Sequence, residues 1–303
     1  MLKSYMWLMF CVVVWGSNFV FGKILVQEFS PALLTSLRLL FIVLLLMGIS
    51  SFKNHFKRLN KSDFVLIILL GIIGVWINQW SFFAALETAD PTTSALILAT
   101  TPILTGIFAA VFLKEKLTIR MVIGSLIAMT GIYFVVTKGN TASFQIDKGL
   151  FWIVVTMITF AIMIIMTKLL STRVDPLTIT LYSNVVGFAV SIPFVFVLDD
   201  PIRMTSDISD WAFLIATAVV VHGIATLIWN HNIRNVDASK ASILSNLEPF
   251  VAMITGLILL YKPITGAEIL GSFFIVGGVV LSTINAKTRE RKQLIVKEGE
   301  QQV

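Results

Sequence analysis

Residues 99–136 read ATTPILTGIFAAVFLKEKLTIRMVIGSLIAMTGIYFVV, and residues 246–283 read NLEPFVAMITGLILLYKPITGAEILGSFFIVGGVVLST. When the two stretches are aligned without a gap, a constant offset of 147 positions pairs Pro102 with Pro249, Thr118 with Thr265, Gly124 with Gly271, and Gly131 with Gly278. An offset of 145 pairs Lys23 with Lys168 and Pro31 with Pro176. Chance does not supply this many identities in register, so the sequence predicts two related halves.

The composition of both halves is strongly apolar. Of the 303 residues, 57% are hydrophobic and 13% are charged, whereas a soluble domain carries about 25% charged residues. So few charges cannot cover a water-facing surface, and the composition predicts an integral membrane protein. The single cysteine, Cys11, excludes a disulfide framework, and three scattered histidines do not predict a metal site. The net charge of +6 is spread over short loops, which indicates membrane topology rather than nucleic-acid binding.

The apolar segments are long enough to cross a bilayer. A membrane-spanning helix needs about 20 predominantly apolar residues, and it must satisfy its backbone hydrogen bonds internally. Cuts at polar and proline-bearing breaks give ten such segments, approximately 5–27, 32–52, 63–86, 91–113, 117–137, 149–171, 177–198, 210–234, 238–261 and 265–286. The predicted fold is therefore an all-α membrane protein with ten transmembrane helices.

The distribution of Lys and Arg predicts the orientation of these helices, because short cytoplasmic loops carry an excess of both residues. If the N-terminus is cytoplasmic, 17 of the 23 Lys and Arg residues fall on the inner side. Five fall on the outer side, and Arg38 lies within a span. Both termini are therefore predicted to be cytoplasmic.

Each half contains five helices, and five is an odd number, so the second half must enter the membrane from the opposite side. We predict two inverted five-helix repeats, residues 1–142 and residues 143–286, followed by a basic cytoplasmic tail at residues 287–303. Inverted repeats support alternating access in many secondary transporters. The tail is expected to be solvated and to contact anionic lipid.

Five segments carry a recognisable family pattern: WGSNFVFGKI (15–24), SPALLTSLRLL (30–40), TPILTGIFAAVFLKEKLT (101–118), GSLIAMTGIYFVV (124–136) and NLEPFVAMITGLILLYKPITG (246–266). With these segments, and over nearly the whole chain up to about Lys287, the sequence resembles the EamA-type exporters of the drug/metabolite transporter superfamily. The resemblance implies a ten-helix transporter of the bacterial cytoplasmic membrane that moves amino acids, other metabolites or toxic compounds, often outward.

Two prolines lie within predicted spans at equivalent positions of the two halves. Pro102 and Pro249 each remove one helical hydrogen bond and free the carbonyl group four residues earlier. Interrupted helices at matched positions indicate a binding site near the middle of the membrane. We interpret both prolines as helix kinks that form a hinge or a site, and the alternative is a kink that serves packing alone.

Two ionisable residues lie well inside predicted spans. Glu248 is about ten residues from either end of its segment, where an ionised carboxylate costs at least about 2.5–3.5 kcal/mol. It must therefore face a cavity, pair with a cation, hold a proton or staple two helices together. Arg38 is expected to balance Glu248, to bind an anionic group of the substrate, or to extend toward the membrane surface. We assign both residues a coupling or gating role.

Polar and aromatic side chains recur at helical spacing on four predicted spans. Because polar groups that face lipid are disfavoured, we predict that these side chains line a substrate cavity. The alternative for each of them is an interhelical hydrogen bond without a ligand. The predicted cavity residues are Trp15, Asn18, Asn78, Gln79, Phe82, His222, Thr226, Trp229, Asn230, Ser245 and Asn246.

These features favour a secondary transporter that exports small metabolites, amino acids or drug-like compounds by alternating access. The expected partners are a small-molecule substrate, membrane lipid and, through Glu248, protons, with the chain a monomer or a homodimer. No nucleotide-binding or metalloenzyme fingerprint occurs in the sequence, so we expect neither a cofactor nor a bound metal nor enzymatic activity. The alternatives are a passive channel-like facilitator, a membrane sensor and an intramembrane enzyme.

Overall fold

The computed structural model describes residues 2–52, 59–112, 118–137, 147–171, 173–232 and 244–283. Within these ranges the regular structure is entirely helical, with no strand, as the sequence predicts. The first half contains α1 (Leu2–Glu28), α2 (Pro31–Phe52), α3 (Lys61–Leu69), the π-helical segment π1 (Leu70–Ile77), α4 (Asn78–Thr88), α5 (Pro91–Leu98), α6 (Thr101–Phe112) and α7 (Ile119–Thr137). The second half contains α8 (Lys148–Ser171), α9 (Pro176–Leu198), α10 (Ile208–Thr217), the π-helical segment π2 (Ala218–Ile224), α11 (Ala225–Asn232), α12 (Glu248–Leu259) and α13 (Gly266–Thr283).

In the described part of the chain, seven continuous or briefly interrupted helices are long and apolar enough to cross a membrane, among them Lys61–Thr88 and Pro91–Phe112. The remaining three predicted spans overlap three shorter apolar helices of the described residues, Ile208–Ile224, Glu248–Leu259 and Gly266–Ser282. The predicted eighth and ninth spans meet at residues 233–243, which are outside the described part of the chain. The count of ten transmembrane helices therefore stays a prediction, as does the position of the termini.

The starts of several helices follow from the local sequence. Pro91 and Pro176 occupy the first turns of α5 and α9, where a missing backbone N–H costs little. Asp90 caps α5 by accepting from the backbone N–H of Thr93 at 2.9 Å. The cap of α2 comes from a distant residue: Asp199, at the end of α9, accepts from the backbone N–H groups of residues 32 and 33 at 3.1 and 2.8 Å. This contact fixes the end of α9 against the start of α2.

Glycines at matched positions bring α7 and α13 into direct contact. A Cβ atom built on Gly131 would lie 2.6 Å from the carbonyl oxygen of Gly271, and one built on Gly271 would lie 2.7 Å from the carbonyl oxygen of Gly131. Gly124 and Gly278 face each other in the same reciprocal way. Small residues allow this approach of two backbones in a membrane protein, where lipid provides no hydrophobic driving force between helices.

The two halves also contact each other through their first helices. α1 packs against α12 of the second half, and α8 packs against α6 of the first half. Each first helix therefore contacts the helix that follows the interruption in the opposite half. This crossed arrangement leaves a space between the halves at the level of the two interruptions.

Candidate functional site

A central cavity of about 560 Å³ lies between the two halves. Its wall receives side chains from α1, π1, α4, α5, α6, α8, α9, π2, α11 and α12. The lining is mainly apolar and aromatic, with a small number of polar groups, as is usual for small-molecule sites. The wall also includes the three residues that the sequence analysis names at the two helix interruptions, Pro102, Glu248 and Pro249.

The structure brings most of the sequence-predicted cavity residues together on this wall, although their role in substrate binding stays a prediction. Ten of the eleven line the cavity: Trp15, Asn18, Asn78, Gln79, Phe82, His222, Thr226, Trp229, Ser245 and Asn246. The eleventh, Asn230, lies in α11, but its side chain is outside the described part of the structure.

Both helix interruptions are visible at the prolines. α5 ends at Leu98 and α6 begins at Thr101, so that Pro102 lies in the first turn of the second segment. The hydroxyl of Thr101 donates to the Leu98 carbonyl at 2.6 Å, and this bond satisfies the acceptor that Pro102 cannot reach. Pro249 likewise lies in the first turn of α12. Each interruption therefore places the start of a helix at the cavity wall.

Glu248 belongs to the first turn of α12 and is partly exposed to the cavity. A carboxylate is stabilised at this position by the partial positive charge of the helix N-terminus. Among the described residues, the Glu248 side chain has neither a hydrogen-bond donor nor a cationic partner. It is the only acidic residue on the described cavity wall, so it is the group available there for a proton or for a cationic substrate group.

Arg38 lies behind the wall rather than on it, because its side chain is 0% exposed. Its Nη1 donates to the hydroxyl of Thr217 at 2.8 Å, and its Nη2 lies 3.4 Å from Asn18 Oδ1 and 3.0 Å from His222 Nδ1. Its Cζ is 5.2 Å from the centre of the Phe83 ring, a cation–π distance. In the described structure no carboxylate pairs with Arg38, so the suggested Arg38–Glu248 ion pair is not formed.

Aromatic rings form a large part of the wall. Trp15 and Trp229 have ring centroids 5.0 Å apart, and the indole N–H of Trp15 donates to the Val221 carbonyl at 3.0 Å. Phe19 and Phe82 meet edge to face at 5.4 Å. The tryptophan pair connects α1 to α11 of the second half, whereas the phenylalanine pair connects α1 to α4 within the first half.

Three polar groups of the wall differ in how they are satisfied. The amide of Asn78 donates to the Thr156 carbonyl at 2.9 Å and to the Thr159 hydroxyl at 3.0 Å, so it holds π1 and α4 against α8. Gln79 Oε1 and Asn246 Nδ2, in contrast, are buried without a hydrogen-bond partner in the described structure. Buried polar atoms without partners are rare, and at a cavity wall they are available to a ligand.

The sequence analysis missed several residues of the wall. Thr156, Phe160 and Met163 of α8 and Asn184 of α9 all line the cavity. Asn184 gave a usable signal, because it is a lone amide within an apolar span. The hydroxyl of Thr156 gave a weaker one, because threonine is common in membrane helices and bonds its own backbone, here the Trp152 carbonyl at 2.9 Å.

Comparisons with known proteins agree with this architecture. The chain is 26% identical over 94% of its length to "Uncharacterized transporter YetK" of Bacillus subtilis, covering 88% of that protein. It is 27% identical over 93% of its length to "Uncharacterized transporter YyaM" of the same species, covering 94% of that protein. An "Uncharacterized transporter" of Archaeoglobus fulgidus is 27% identical over 92% of this chain and 98% of its own. These names indicate transport rather than catalysis.

A solved crystal structure shares the fold, with a TM-score of 0.66 at 19% identity over 94% of this chain and 99% of that chain. The family model for the EamA-like transporter family matches residues 2–137 and again residues 147–284. The two matches cover nearly the whole chain and confirm the resemblance noted from the five sequence segments. The chain is therefore a multi-pass protein of the cytoplasmic membrane, and it belongs to the EamA-like transporter family.

Proposed function

We propose that this protein is a secondary transporter that exports small metabolites, amino acids or drug-like compounds by alternating access. The observation that carries the proposal is the central cavity of about 560 Å³, which both halves line at their matched helix interruptions. A cavity enclosed between two halves becomes accessible from either side of the membrane when the halves rock against each other.

The proposed topology has ten transmembrane helices in two inverted repeats, residues 1–142 and 143–286, with both termini and the tail at residues 287–303 in the cytoplasm. The register of the internal repeat and the distribution of Lys and Arg support it. The matched positions of π1 and π2, which begin at residues 70 and 218, and of Pro102 and Pro249 give further support.

Contacts between the halves on the proposed outer side support a conformation that is closed there. Lys262 of the second half pairs with Asp90 of the first half at 2.7 Å. Arg203 of the second half pairs with Glu87 of the first half at 2.5 Å. Under alternating access, these ion pairs must break before a substrate can leave on the outer side.

Glu248 is the residue that we propose for coupling to protons. A side chain that binds a proton in one conformation and releases it in the other must be reachable from the cavity and free of a fixed cationic partner. Glu248 meets both conditions among the described residues. Coupled export then requires that the two conformations differ in how well they stabilise the charged carboxylate.

Topology is tested by cysteine accessibility in intact cells. Cys11 is the only cysteine, and it is buried, so Cys11→Ala provides a background for single-cysteine variants. Lys61→Cys and Ser171→Cys are expected to resist a membrane-impermeant maleimide, whereas Asp200→Cys and Met204→Cys are expected to react. Labelling of residues 61 and 171 from opposite sides would contradict the inverted repeat.

Transport is tested with purified protein in liposomes. A carrier that works by alternating access exchanges labelled external substrate against a preloaded internal pool, whereas a channel gives net flux without exchange. We expect counterflow with substrates selected from a thermal-shift screen, because a ligand that binds only the folded protein raises its stability. Flux that is insensitive to preloading would favour the channel-like alternative.

A further inference from the structure

The buried guanidinium of Arg38 has a consequence for the chemistry of the cavity. Arginine has only hydrogen-bond donors, and it stays protonated in proteins. At a separation of 3.0 Å from Arg38 Nη2, His222 Nδ1 must therefore act as the acceptor. A neutral imidazole with an acceptor at Nδ1 carries its proton on Nε2, so the contact selects one tautomer of His222.

The Nε2–H group selected in this way is a donor without a partner. His222 belongs to the cavity wall, and among the described residues nothing accepts a hydrogen bond from its Nε2. Nε2 is also absent from the buried polar atoms that lack a partner, so it keeps some exposed surface, and the space that His222 lines is the cavity. The donor is available to a group that enters the cavity.

The positive charge of Arg38, on the Nδ1 side of His222, determines which kind of acceptor the Nε2–H group favours. Arg38 is fully buried and forms no ion pair with a described carboxylate, and one of its own donors, Nε, has no partner. Neutral atoms of Thr217, Asn18 and His222 and the ring of Phe83 satisfy the rest of the group, but they leave its positive charge uncompensated. An anionic acceptor at the opposite edge of the imidazole is therefore favoured over a neutral acceptor of the same shape.

We propose that Arg38 is a positioning residue that holds His222 as an Nε2–H donor, and that His222 binds a carboxylate group of the transported compound. This inference rests on the proposed transport function. Arg38 itself does not contact the substrate, because the residues that it bonds shield its side chain from the cavity.

Other ionisable groups near the site do not change this assignment. On the described cavity wall, Glu248 is the sole carboxylate, and it belongs to α12, whereas His222 belongs to π2. No contact joins the two side chains. A substrate that also carries an ammonium group can therefore place it near Glu248 while its carboxylate bonds to His222.

The tautomer is measured directly by nitrogen NMR of ¹⁵N-histidine-labelled full-length protein in lipid nanodiscs at neutral pH. His222 signals are assigned by their loss in His222→Gln, since the chain has three histidines. We expect Nε2 to be protonated and Nδ1 to be unprotonated. An Nδ1–H tautomer or a doubly protonated ring in the wild type would overturn the proposal.

Two variants separate positioning from a general structural effect. Arg38→Met removes the donor to Nδ1, and the tautomer is expected to become a mixture. Thr217→Val removes the 2.8 Å bond on the other side of the guanidinium and the bond from the Thr217 hydroxyl to the Leu214 carbonyl, but it leaves the contact between Arg38 and His222. The tautomer is expected to be unchanged. If Arg38→Met does not fold, the wild-type spectrum and the ligand experiment decide the proposal. An unchanged tautomer in folded Arg38→Met would contradict it.

The carboxylate is tested with four probes of nearly the same shape: phenylalanine, phenylalanine amide, 3-phenylpropanoate and 3-phenylpropanamide. In equilibrium binding to the wild type, each acid is expected to bind at least about tenfold more tightly than its amide, because a hydrogen bond to a charged group is stronger than one to a neutral group. This ratio is expected to fall to about one in His222→Phe. It is expected to persist in His222→Gln, which keeps an amide donor, and in Glu248→Gln.

Equal binding of acid and amide to the wild type would overturn the carboxylate assignment, as would a ratio that survives in His222→Phe. Failure of both acids to bind at millimolar concentration would also overturn it. These outcomes are independent of transport, because neither NMR nor equilibrium binding requires flux. A protein that shows the tautomer and the acid preference but no counterflow would refute the proposed transport function alone.

Discussion

Lys262 joins the two halves of the molecule through a 2.7 Å ion pair with Asp90, the residue that caps α5. The same ammonium group also contacts the carboxylate of Glu268, which is buried in α13. One side chain therefore connects the start of the interrupted helix of the first half with the last helix of the second half, on the side that we propose to be outside.

Lys262→Met is expected to favour opening of the protein on the proposed outer side. The pair with Asp90 is partly solvent-exposed and contributes no more than about 1 kcal/mol to the free energy of unfolding. The variant also removes the cation beside the buried carboxylate of Glu268, so some further loss of stability is expected. The balance between two conformations of similar energy is more sensitive to such a change. We expect faster maleimide labelling of Thr92→Cys, a residue buried near Asp90, in this variant.

Lys148→Met is the matched control, because Lys148 belongs to the exposed first turn of α8. It should leave the labelling rate of Thr92→Cys unchanged. If Lys262→Met also left this rate unchanged, the contact would not contribute to closure.

Gly278→Ala is expected to destabilise the protein, whereas Gly277→Ala is not. A Cβ atom at Gly278 would lie 2.6 Å from the backbone nitrogen of Ala128, but one at Gly277 has no neighbour within 4 Å. Overpacking of this kind costs about 1–3 kcal/mol, and an unobstructed Gly-to-Ala change in a helix gains up to about 1 kcal/mol.

Thermal unfolding of both glycine variants in the same detergent checks the prediction. The midpoint should decrease for Gly278→Ala and should stay the same or increase for Gly277→Ala. Equal midpoints would show that α7 and α13 are not in the close contact described.

Pro102→Ala is expected to slow transport without loss of stability. The substitution restores a backbone donor and allows α5 and α6 to approach a continuous helix, which would move the wall residues on both sides of the interruption. Initial rates of counterflow in liposomes provide the measurement, together with the unfolding midpoint.

Pro193→Ala is the control for Pro102→Ala, because Pro193 also lies inside a helix, α9, but does not line the cavity. Its transport rate should remain close to that of the wild type. A similar decrease in both variants would indicate a general effect of removing a helical proline.

Glu248→Gln is expected to abolish the pH dependence of transport and to retain counterflow. The amide has nearly the same shape as the carboxyl group but cannot release a proton. Counterflow and pH-gradient-driven uptake are to be measured for the wild type, for this variant and for Glu28→Gln, which changes an exposed residue at the end of α1. Retention of pH-driven uptake in Glu248→Gln would exclude coupling through this residue.

The helical architecture and most of the polar residues of the cavity wall were predictable from the contrast between apolar spans and the polar residues within them. A polar residue inside an apolar span must avoid lipid, so residues such as Asn18, Asn78 and His222 could be assigned to the interior from the sequence alone. The interruption at Pro102 was predictable for the same kind of reason, because proline cannot donate the hydrogen bond that a helix requires.

The partners of these residues were not predictable from periodicity. The spacing of residues identifies the face of a helix, but it does not identify which neighbouring helix that face contacts. For Arg38 the sequence therefore leaves a pairing with Glu248, an anionic substrate group and the membrane surface as alternatives, whereas the structure places its side chain against Thr217, Asn18 and His222. The positions of Thr156 and Asn184 on the wall likewise depend on which helices pack together, and the spacing of residues does not give this packing.

The π-helical segments show a further limit of helical periodicity. Each residue of a π-helix turns the chain through a smaller angle than a residue of an α-helix, because its hydrogen bonds join residues five apart. A helical wheel that starts at Lys61 is therefore out of phase with the true faces of the helix beyond Leu70, and one that starts at Ile208 is out of phase beyond Ala218. When residues that covary in related sequences are assigned to helix faces, separate helical wheels are therefore needed for the parts of the helix before and after each π-helical segment.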